Sequence, residues 1–564
     1  MSSRCGLVAF VAAALVVCLD AGQLEPIPLP PMPKGTGTIT GVVLDFSGQP
    51  AAGAQVSIGI HSRSLVTSIL GYDRTKTVAD KDGRFAFTNV TAEPLELRAS
   101  MAGRPDVVYG EVHPGSPGTP ILLREHERMS VRLRLSRGST MSGRVSDEHG
   151  AAAPGFKVFV SRIVPRGDDS YLGPGGDTVT DQRGEYHVTG LVTGQYAVWG
   201  YRDRPPSFDA PKLIANGPEQ FALEGGAYPP NTASPCYEPP LALESDRDRS
   251  GVDLTWRLEP VTALRGEVRD TNGRPVPGAT VQWAPVAIEC TGTSLIKTDE
   301  DGAFELTRVK RGDYNLDVSW RNSQVVWSGH APFSSDGRTP QHLALVISSE
   351  PAGSVTGRIE FISRREVVTP PGPGVNYSTV FLNSRLFDDR YEIRGVPSTG
   401  QRPFVFTGVP SGEYRIHAYA PAGWIVRSAL ANGRDLLDFP LVIRPGEHTD
   451  VVITMSDVFT ELTGKVTDAR GRPSLDHTVV VFAADEQFWT TMSRRVLVDR
   501  PDTHGGFHMT GLPAGEYLVA LAPADLENDR PPASMLRDLR ASSKRVTLRE
   551  GVPATLDLRV SAGK

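Results

Sequence analysis

One spacing recurs five times along this chain of 564 residues and limits what the chain can fold into. In each copy an aromatic residue is followed, ten positions later, by a second large apolar residue. The five pairs are Phe85 and Leu95, Tyr186 and Tyr196, Phe304 and Tyr314, Phe404 and Tyr414, and Phe507 and Tyr517. A fixed spacing at five places predicts five copies of one structural unit, because self-similarity at a fixed period is typical of repeat architectures.

A second frame opens the repeats and has the residues of a strand, a tight turn and another strand. In the first copy it consists of Gly41, Asp45, Gly48, Gly53 and Val56. The same offsets return at Gly143, Asp147, Gly150, Gly155 and Val158, at Gly266, Asp270, Gly273, Gly278 and Val281, and at Gly464, Asp468, Gly471 and Val479. An Asp side chain can accept a hydrogen bond from the backbone two residues on, and Gly adopts positive φ without strain. The frame therefore predicts short β-strands joined by turns.

Together the frames predict an all-β fold made of about five tandem β-sandwiches, since their period of about one hundred residues suits one sandwich. The predicted sandwiches, called repeats 1 to 5 below, are residues 36–136, 137–260, 261–350, 351–457 and 458–564. Repeat 4 keeps only Gly357 of the opening frame. Short connections favour head-to-tail packing into a semi-rigid rod. The insertions are predicted to be loops, notably 162–177, 201–249, 321–341, 482–501 and 523–544.

The N-terminus has the layout of a secretory signal peptide, predicted to be residues 1–22. Arg4 precedes an apolar run too short to span a bilayer, and small residues follow near Ala21. Val17 stands where a lipidated Cys18 would need a small residue, so the pattern favours ordinary cleavage over lipidation. A Pro-rich spacer is predicted at 23–35. The mature chain is expected to be exported, to the periplasm, the outer membrane or beyond, without a transmembrane segment.

Charge and cysteine content argue against a nucleic-acid partner and against a disulfide bond. Lys and Arg number 59 against 65 Asp and Glu, so the sequence as a whole predicts no nucleic-acid partner. Two cysteines follow the predicted signal, Cys236 and Cys290, and they lie in different repeats. A disulfide between them is not expected, because two distant cysteines do not make a disulfide framework.

The polar clusters of the sequence predict structure rather than chemistry. Asp80 to Gly83 and Asp299 to Gly302 are expected to be turns, because no acid follows at the spacing of a calcium loop. His504 and His508 are expected to be a turn residue and a solvent-facing strand residue rather than metal ligands. No catalytic motif is recognisable, so the sequence predicts a non-enzyme without cofactor or metal.

Four aromatic residues outside the repeated frames are candidates for ligand binding: Trp327, Trp424, Phe488 and Trp489. An exposed planar ring can stack on a sugar while neighbouring polar groups bond its hydroxyls. The competing interpretation is that these rings plug the ends or seams of the sandwiches, because large aromatic residues are usually well buried.

The pattern G-x-V-x-D-x-x-G-x-P-x-x-G-A-x-V, followed by T-D-x-x-G-x-F and L-x-x-G-x-Y, resembles the carboxypeptidase regulatory-like domain. The resemblance implies a transthyretin-like (prealbumin-type) Greek-key sandwich, grouped with carbohydrate-binding-like folds and collagen-adhesin B-type repeats. Tandem arrays of such domains resemble exported bacterial proteins. An adhesin-type isopeptide bond is not expected, since Lys465 alone supplies a lysine at the matching first-strand position.

Three functions stay open at this stage. The resemblance and the loop aromatics favour a non-catalytic binding protein whose partner is a polysaccharide or another component of the cell envelope. A structural spacer or protein-interaction rod is the alternative. A hydrolase-type activity in the insertion at 201–249 is the third, although that segment shows no nucleophile and base pair.

Overall fold

The computed structural model describes residues 32–61, 74–167, 169–201, 213–215, 221–228, 240–244, 246–285, 294–321, 324–363, 380–384, 393–394, 403–418, 420, 424–490, 493–526 and 530–560. The predicted signal peptide with Cys18, most of the Pro-rich spacer, and both Cys236 and Cys290 lie outside these residues. The described chain forms 39 β-strands, one α-helix and one 3-10 turn. The all-β prediction is confirmed.

The strands of repeats 1 and 2 are short and closely spaced. Repeat 1 contains β1 Gly37–Leu44, β2 Gln55–Ile60, β3 Thr75–Val78, β4 Arg84–Val90, β5 Leu95–Ser100, β6 Val107–Val108 and β7 Arg128–Arg134. Repeat 2 contains β8 Ser139–Ser146, β9 Lys157–Arg166, β10 Asp169–Val179, β11 Glu185–Leu191, β12 Gly194–Tyr201, β13 Leu213–Ala215, β14 Phe221–Tyr228 and β15 Leu241–Leu243.

Repeat 3 contains β16 Leu254–Asp270, which begins within the range of repeat 2, and β17 Thr280–Pro285, β18 Ser294–Lys297, β19 Ala303–Lys310, β20 Gly312–Arg321, β21 Val325–Ser335 and β22 Gln341–Pro351. Repeat 4 contains β23 Gly353–Ile362, β24 Val380–Ser384, β25 Ile393–Arg394, β26 Phe404–Val409, β27 Gly412–Ala418, β28 Ile425–Ala431, β29 Arg434–Asp435, β30 Leu441–Ile443 and β31 His448–Ser456. Repeat 5 contains β32 Glu461–Thr467, β33 His477–Ala483, a 3-10 turn at Glu486–Phe488, β34 Val496–Asp499, β35 Gly506–Thr510, β36 Gly515–Pro523, α1 Ala533–Arg540, β37 Lys544–Leu548, β38 Pro553–Thr555 and β39 Leu558–Arg559.

Repeats 1 and 5 are built on the same pair of sheets. In repeat 1 the first sheet has the order β4-β1-β7 and the second has the order β3-β2-β5-β6. Strand β1 pairs antiparallel with β4 and parallel with β7, so its first sheet is mixed. Repeat 5 repeats the scheme with β35-β32-β38 and β34-β33-β36-β37. A separate cluster of buried apolar residues fills each repeat, as expected of tandem sandwiches.

Two compact units divide the described chain. One contains repeats 1 and 5 and most of repeat 2, and the other contains repeats 3 and 4. The boundaries predicted for the five repeats remain a prediction.

The first glycine of each repeat lies opposite the first aromatic residue on the neighbouring strand. The five pairs are Gly41 and Phe85, Gly143 and Tyr186, Gly266 and Phe304, Gly357 and Phe404, and Gly464 and Phe507. A Cβ added to Gly41 would lie 2.6 Å from Cζ of Phe85 and 2.6 Å from the carbonyl oxygen of Val131. The glycine therefore makes room for the ring, which explains why the two sequence frames recur together.

The Asp-x-x-Gly segments are turns, as the sequence predicts. In every one, Oδ1 of the Asp accepts hydrogen bonds from the backbone N–H groups two and four residues on. These residues are Asp45, Asp80, Asp147, Asp181, Asp270, Asp299, Asp468 and Asp502. The N–H of Arg274 is the main cause that holds the pKa of Asp270 below its ordinary value. The carboxylates are thus committed to turn formation.

The tyrosine that ends the second frame closes a turn in repeats 2 to 5. Its hydroxyl donates to the carbonyl oxygen four residues earlier, over 2.7 Å from Tyr517 to Pro513 and 2.8 Å from Tyr414 to Pro410. The same bond runs from Tyr196 to Val192 and from Tyr314 to Lys310. Repeat 1 has Leu95 at this position, which fills the core without the bond.

Several insertions that were predicted to be loops are regular structure instead. Residues 162–177 fall within the β9–β10 hairpin, and residues 321–341 contain β21, which pairs with both β20 and β22. Residues 523–544 contain helix α1, whose Leu536 is buried. The loop prediction was wrong at these places, because tertiary packing overrode the Gly- and Pro-rich composition.

Repeat 5 contacts repeat 1, which a purely head-to-tail order does not predict. Arg500, only 5% exposed, donates to the carbonyl oxygens of Gly110 at 2.9 Å and Pro117 at 2.6 Å. The backbone N–H of Thr503 donates to Pro120. Nε2 of His61 lies 3.3 Å from Oδ1 of Asp499. The head-to-tail packing that the short connections favour therefore does not account for this contact.

Candidate functional site

Trp327 lies in β21 rather than in a loop. It stands opposite Trp320 of β20, and both half-buried rings pack against the core of repeat 3. Cross-strand aromatic pairs of this kind stabilise a sheet. The position of Trp327 is therefore explained by packing within repeat 3.

Trp424 precedes β28 and is also half-buried. Its ring meets that of Phe361 edge-on, with 5.0 Å between centroids and an interplanar angle of 90°. Both rings pack against the core of repeat 4. This T-shaped contact is a favourable packing geometry and places Trp424 at the end of that sandwich.

Trp489 is a core residue, with only 7% of its surface exposed. Its indole Nε1 donates to the carbonyl oxygen of Ala483 over 2.7 Å, and its ring lies edge-on to Phe482 at 5.4 Å. Leu536 of α1 belongs to the same apolar cluster. A sugar could stack on this ring only if the surrounding packing opened, so Trp489 is not an exposed platform in this structure.

Phe488 differs from its neighbour because it lines an open depression of about 310 Å³. The depression lies between the end of β33, the 3-10 turn, and strands β36 and β37, all within repeat 5. Its lining residues are Ala483, Ala484, Asp485, Phe488, Arg495, Gly515, Glu516 and Arg545. The sequence thus indicated one residue of this depression, Phe488, and gave no signal of its charged rim, which comes from four separate segments.

The rim of the depression carries two acids and two arginines around an apolar floor. The guanidinium of Arg495 lies 4.4 Å from the ring centroid of Phe488 and covers one side of the ring. Arg545 lies 3.8 Å from Glu516, and Asp485 accepts from the backbone N–H of Gln487 at 3.0 Å. Since opposite charges balance, the depression suits a polar ligand with many hydroxyl groups better than an ion.

The two histidines considered as metal ligands, His504 and His508, contact different acidic residues and do not form one site. Nε2 of His508 lies 3.0 Å from Glu461 on the solvent-facing sheet, and Nε2 of His504 lies 3.6 Å from Glu127 of repeat 1. In the part of the chain that the structure describes, no group of three or more His, Cys, Asp or Glu side chains could hold a metal. Among the same residues, no helix has the length and apolarity needed to cross a bilayer.

Two segments of the chain match a known protein family. Residues 38–121 and 263–346 match the family described as "Carboxypeptidase regulatory-like domain". Over these residues, repeats 1 and 3 are similar to carboxypeptidase regulatory-like domains. The match confirms the resemblance for repeats 1 and 3, although repeats 2 and 5 also contain the opening frame, the Asp turns and the first aromatic residue.

Solved structures resemble this chain only distantly. The TIE protein of Bacillus anthracis is 12% identical and matches 72% of this chain and 68% of its own, with a TM-score of 0.15. A streptococcal ancillary pilin is 13% identical over 55% of this chain and 98% of its own, with a TM-score of 0.21. The minor pilin of Streptococcus agalactiae is 11% identical over 40% and 98%, with a TM-score of 0.23. A search of curated proteins found no match.

Proposed function

We propose that this chain is an exported, non-catalytic binding protein that presents ligand sites on a framework of regulatory-like sandwiches. We further propose that the depression beside Phe488 binds a neutral carbohydrate of the cell envelope. The observation that carries the proposal is the combination, in one open depression, of an apolar floor with balanced charged groups. The apolar floor suits the faces of sugar rings, and the charged rim suits their hydroxyl groups.

The division of labour within the repeats supports a binding role. The recurrent Gly, Asp and aromatic residues are used for close packing and for turns. Positions that face solvent are not constrained in this way, so ligand specificity can reside in them. Export follows from the predicted signal peptide at residues 1–22, which lies outside the described residues.

The test is a binding screen of the mature chain, residues 23–564, against neutral and charged envelope polysaccharides. Phe488→Ala should weaken binding of the neutral ligand at least about tenfold, because the apolar floor loses its only ring. Tyr171→Ala removes an aromatic residue that is 47% exposed in repeat 2 and serves as the control. If no neutral glycan binds, or if Phe488→Ala leaves its affinity unchanged, the proposed site is wrong.

A protein-interaction role remains the second candidate. It is favoured by the contact between repeats 1 and 5, in which loops of one sandwich bond specifically to the end of another through Arg500. A pull-down from envelope fractions with a partner that Phe488→Ala does not release would favour this role. The third hypothesis, a hydrolase in the insertion at 201–249, lies mostly outside the described residues and stays a prediction.

A further inference from the structure

The solvent-facing side of the first sheet of repeat 1 carries four exposed arginines. Arg84 is on β4, and Arg128, Arg132 and Arg134 are on β7. Because side chains alternate along a strand, these residues point away from the core, while Phe85, Val131 and Leu133 point into it. We call this set the arginine face.

The strand register sets the spacing of the arginine face. Val42 of β1 pairs with Arg84 on one side and Arg132 on the other, so these two arginines lie in one row. Their strands are about 10 Å apart, two strand spacings. Arg128 and Arg134 stand six residues apart on β7, which is about 20 Å along the strand. The face thus spans several units of an extended ligand.

The outward positions between the arginines carry mainly hydroxyl groups. They are Thr38, Thr40, Thr88 and Ser130, together with Ala86, Val42 and Leu44. These described strands present no aromatic side chain and no acid on this side. The three strands can therefore donate hydrogen bonds but offer no aromatic platform on which nucleic-acid bases could stack. The exposed ring of Phe46, just beyond β1, has the guanidinium of Arg104 at 4.6 Å from its centroid.

No acidic side chain in the described part of the chain forms an ion pair with Arg84, Arg128 or Arg132. Arg134 donates to the backbone carbonyl oxygen of Phe46 at 2.6 Å, which leaves its charge uncompensated. Of the acids in the adjoining turns, Asp45 and Asp80 accept from their own turns and Glu127 accepts from the N–H of Arg124. Asp82 and Glu125 also lie in these turns, beside the strands rather than on the arginine face.

The same face of repeat 3 has both signs of charge. Arg265 lies 3.0 Å from Glu305, and Arg269 lies 2.6 Å from Glu267. The first glycine of repeat 1 pairs with Val131, and that of repeat 3 pairs with Leu343. Counted from these residues, Arg132 and Arg134 of repeat 1 correspond to Ala344 and Val346 of repeat 3. The framework does not require arginines at these positions, so their clustering in repeat 1 calls for another explanation.

Like charges on one face repel each other and are favoured when an anionic partner neutralises them. In a chain with a net charge of -6, four arginines without an acid among them form a local exception. The outward positions of this sheet carry mainly hydroxyls and arginines, so it lacks the large apolar anchors with which a peripheral protein enters a membrane. The observations therefore favour an extended polar polyanion.

We propose that the arginine face of repeat 1 binds an acidic polysaccharide, whose regularly spaced carboxylate or sulfate groups pair with Arg84, Arg128, Arg132 and Arg134. The hydroxyls of Thr40 and Ser130 lie between these charges and bond the sugar hydroxyls. This site shares with the proposed function the expectation of export to the envelope, but it does not depend on the depression beside Phe488.

The test uses the mature chain and measures affinity for alginate and heparin by titration at several salt concentrations. Arg128→Gln with Arg132→Gln should lower the affinity at least about tenfold and make it less dependent on salt, because two charge contacts are lost. Arg265→Gln with Arg269→Gln is the matched control in repeat 3 and should leave binding within about twofold. All four residues are exposed or half-buried, and an unchanged thermal unfolding curve confirms that the variants fold.

Three further probes separate the alternatives. Phe488→Ala should leave alginate binding unchanged, so loss of the neutral-glycan site and loss of the arginine face are told apart. Neutral dextran should not bind the arginine face. Tighter binding to DNA or to phosphatidylglycerol vesicles than to alginate at equal charge would overturn the assignment to a polysaccharide, as would alginate binding that survives Arg128→Gln with Arg132→Gln.

Discussion

Repeats 1 and 3 share a framework and differ in what they present to solvent. In both, a glycine accommodates an aromatic ring across the first sheet, at Gly41 with Phe85 and at Gly266 with Phe304. On the solvent-facing side of the first sheet, repeat 1 presents arginines without acidic partners, whereas Arg265 and Arg269 in repeat 3 form ion pairs. The comparison teaches that the repeated residues specify the fold, while individual repeats acquire their chemistry at the positions between them.

The largest expected effect is on the stability of repeat 1, which a residue of repeat 5 contacts and for which repeat 3 provides the control. Arg500 of repeat 5 donates to two carbonyl oxygens of repeat 1 and to Leu475 at 2.5 Å. Arg500→Ala leaves these buried acceptors without a donor and should reduce the free energy of unfolding by about 3 kcal/mol. Chemical denaturation monitored by circular dichroism, with limited proteolysis of repeat 1, measures this loss.

The exposed Arg265→Ala in repeat 3 is the matched control and should cost less than about 1 kcal/mol, because an exposed ion pair contributes little. Equal effects of the two substitutions would show that the contact between repeats 5 and 1 does not stabilise repeat 1 in solution.

The shared framework predicts equal effects of equivalent glycine substitutions. A Cβ on Gly266 would lie 2.3 Å from Cζ of Phe304 and 2.6 Å from the carbonyl oxygen of Leu343, much as at Gly41. Gly41→Ala and Gly266→Ala should each destabilise by about 2 kcal/mol, because the ring and the backbone must move apart. Thermal unfolding of both variants tests whether the frames are equivalent.

The turn glycines provide a contrast within the same repeats. Gly48 and Gly273 have φ of 87° and 78°, and no atom lies within 4 Å of an added Cβ. Gly48→Ala and Gly273→Ala should therefore cost only the backbone strain, about 1 kcal/mol. A larger loss at the turns than at Gly41 would contradict the explanation of the opening frame by ring packing.

These turns and rings could be predicted from the sequence because their chemistry is local. An Asp carboxylate that bonds its own turn, and a glycine opposite a ring, leave a fixed spacing in the chain. Burial of Trp489 could not be predicted in this way, since it depends on α1, whose residues lie more than forty positions later. Arg500 gave no signal either, because its acceptors are backbone carbonyls nearly four hundred positions away.

Strand β21 and the arginine face show two other limits of the sequence. The Gly, Pro and Ser content around Trp327 favours a loop, yet Val326 and Phe333 pack into the core and make a strand. The alternating Arg and Leu residues at 131–135 predict a strand with one polar face. Only the strand register shows that Arg84 of β4 lies in the same row as Arg132 of β7, on the other side of Val42.

Transferring the charge pattern to repeat 3 sharpens the comparison of surfaces. Ala344→Arg with Val346→Arg places arginines where repeat 1 has Arg132 and Arg134. Affinity for alginate should rise about threefold, because more cationic positions face the polymer, while Glu267 and Glu305 limit the gain. Titration at low salt measures the change, and neutral dextran serves as the control ligand. No gain would mean that the arginine face depends on more than charge.

The last comparison concerns pH and again separates the two repeats. Burial raises the pKa of Glu111 in repeat 1 to about 7. Among the described residues of repeat 3, the carboxyl groups with a shifted pKa, Asp270 and Asp336, have a lowered one. Hydrogen bonds from the backbone and hydroxyl of Thr339 and from the backbone of Arg338 lower the pKa of Asp336 to about 2. The two repeats should therefore respond to pH in opposite directions at these positions.

Between the ordinary glutamate value and about 7, folded repeat 1 holds a proton on Glu111 that the unfolded chain has released. The free energy of unfolding therefore falls as the pH rises from the ordinary glutamate pKa to about 7, because ionisation favours the unfolded chain in this window. Glu111→Gln stays neutral, so its melting temperature should match that of the unsubstituted chain near pH 4 and exceed it at pH 8, by an amount equivalent to about 1 kcal/mol. Asp336→Asn should show the reverse, with a deficit that is full at neutral pH and disappears as the pH falls towards 2. A difference between Glu111→Gln and the unsubstituted chain that does not change with pH would show that Glu111 is ionised in the folded repeat like an ordinary surface glutamate.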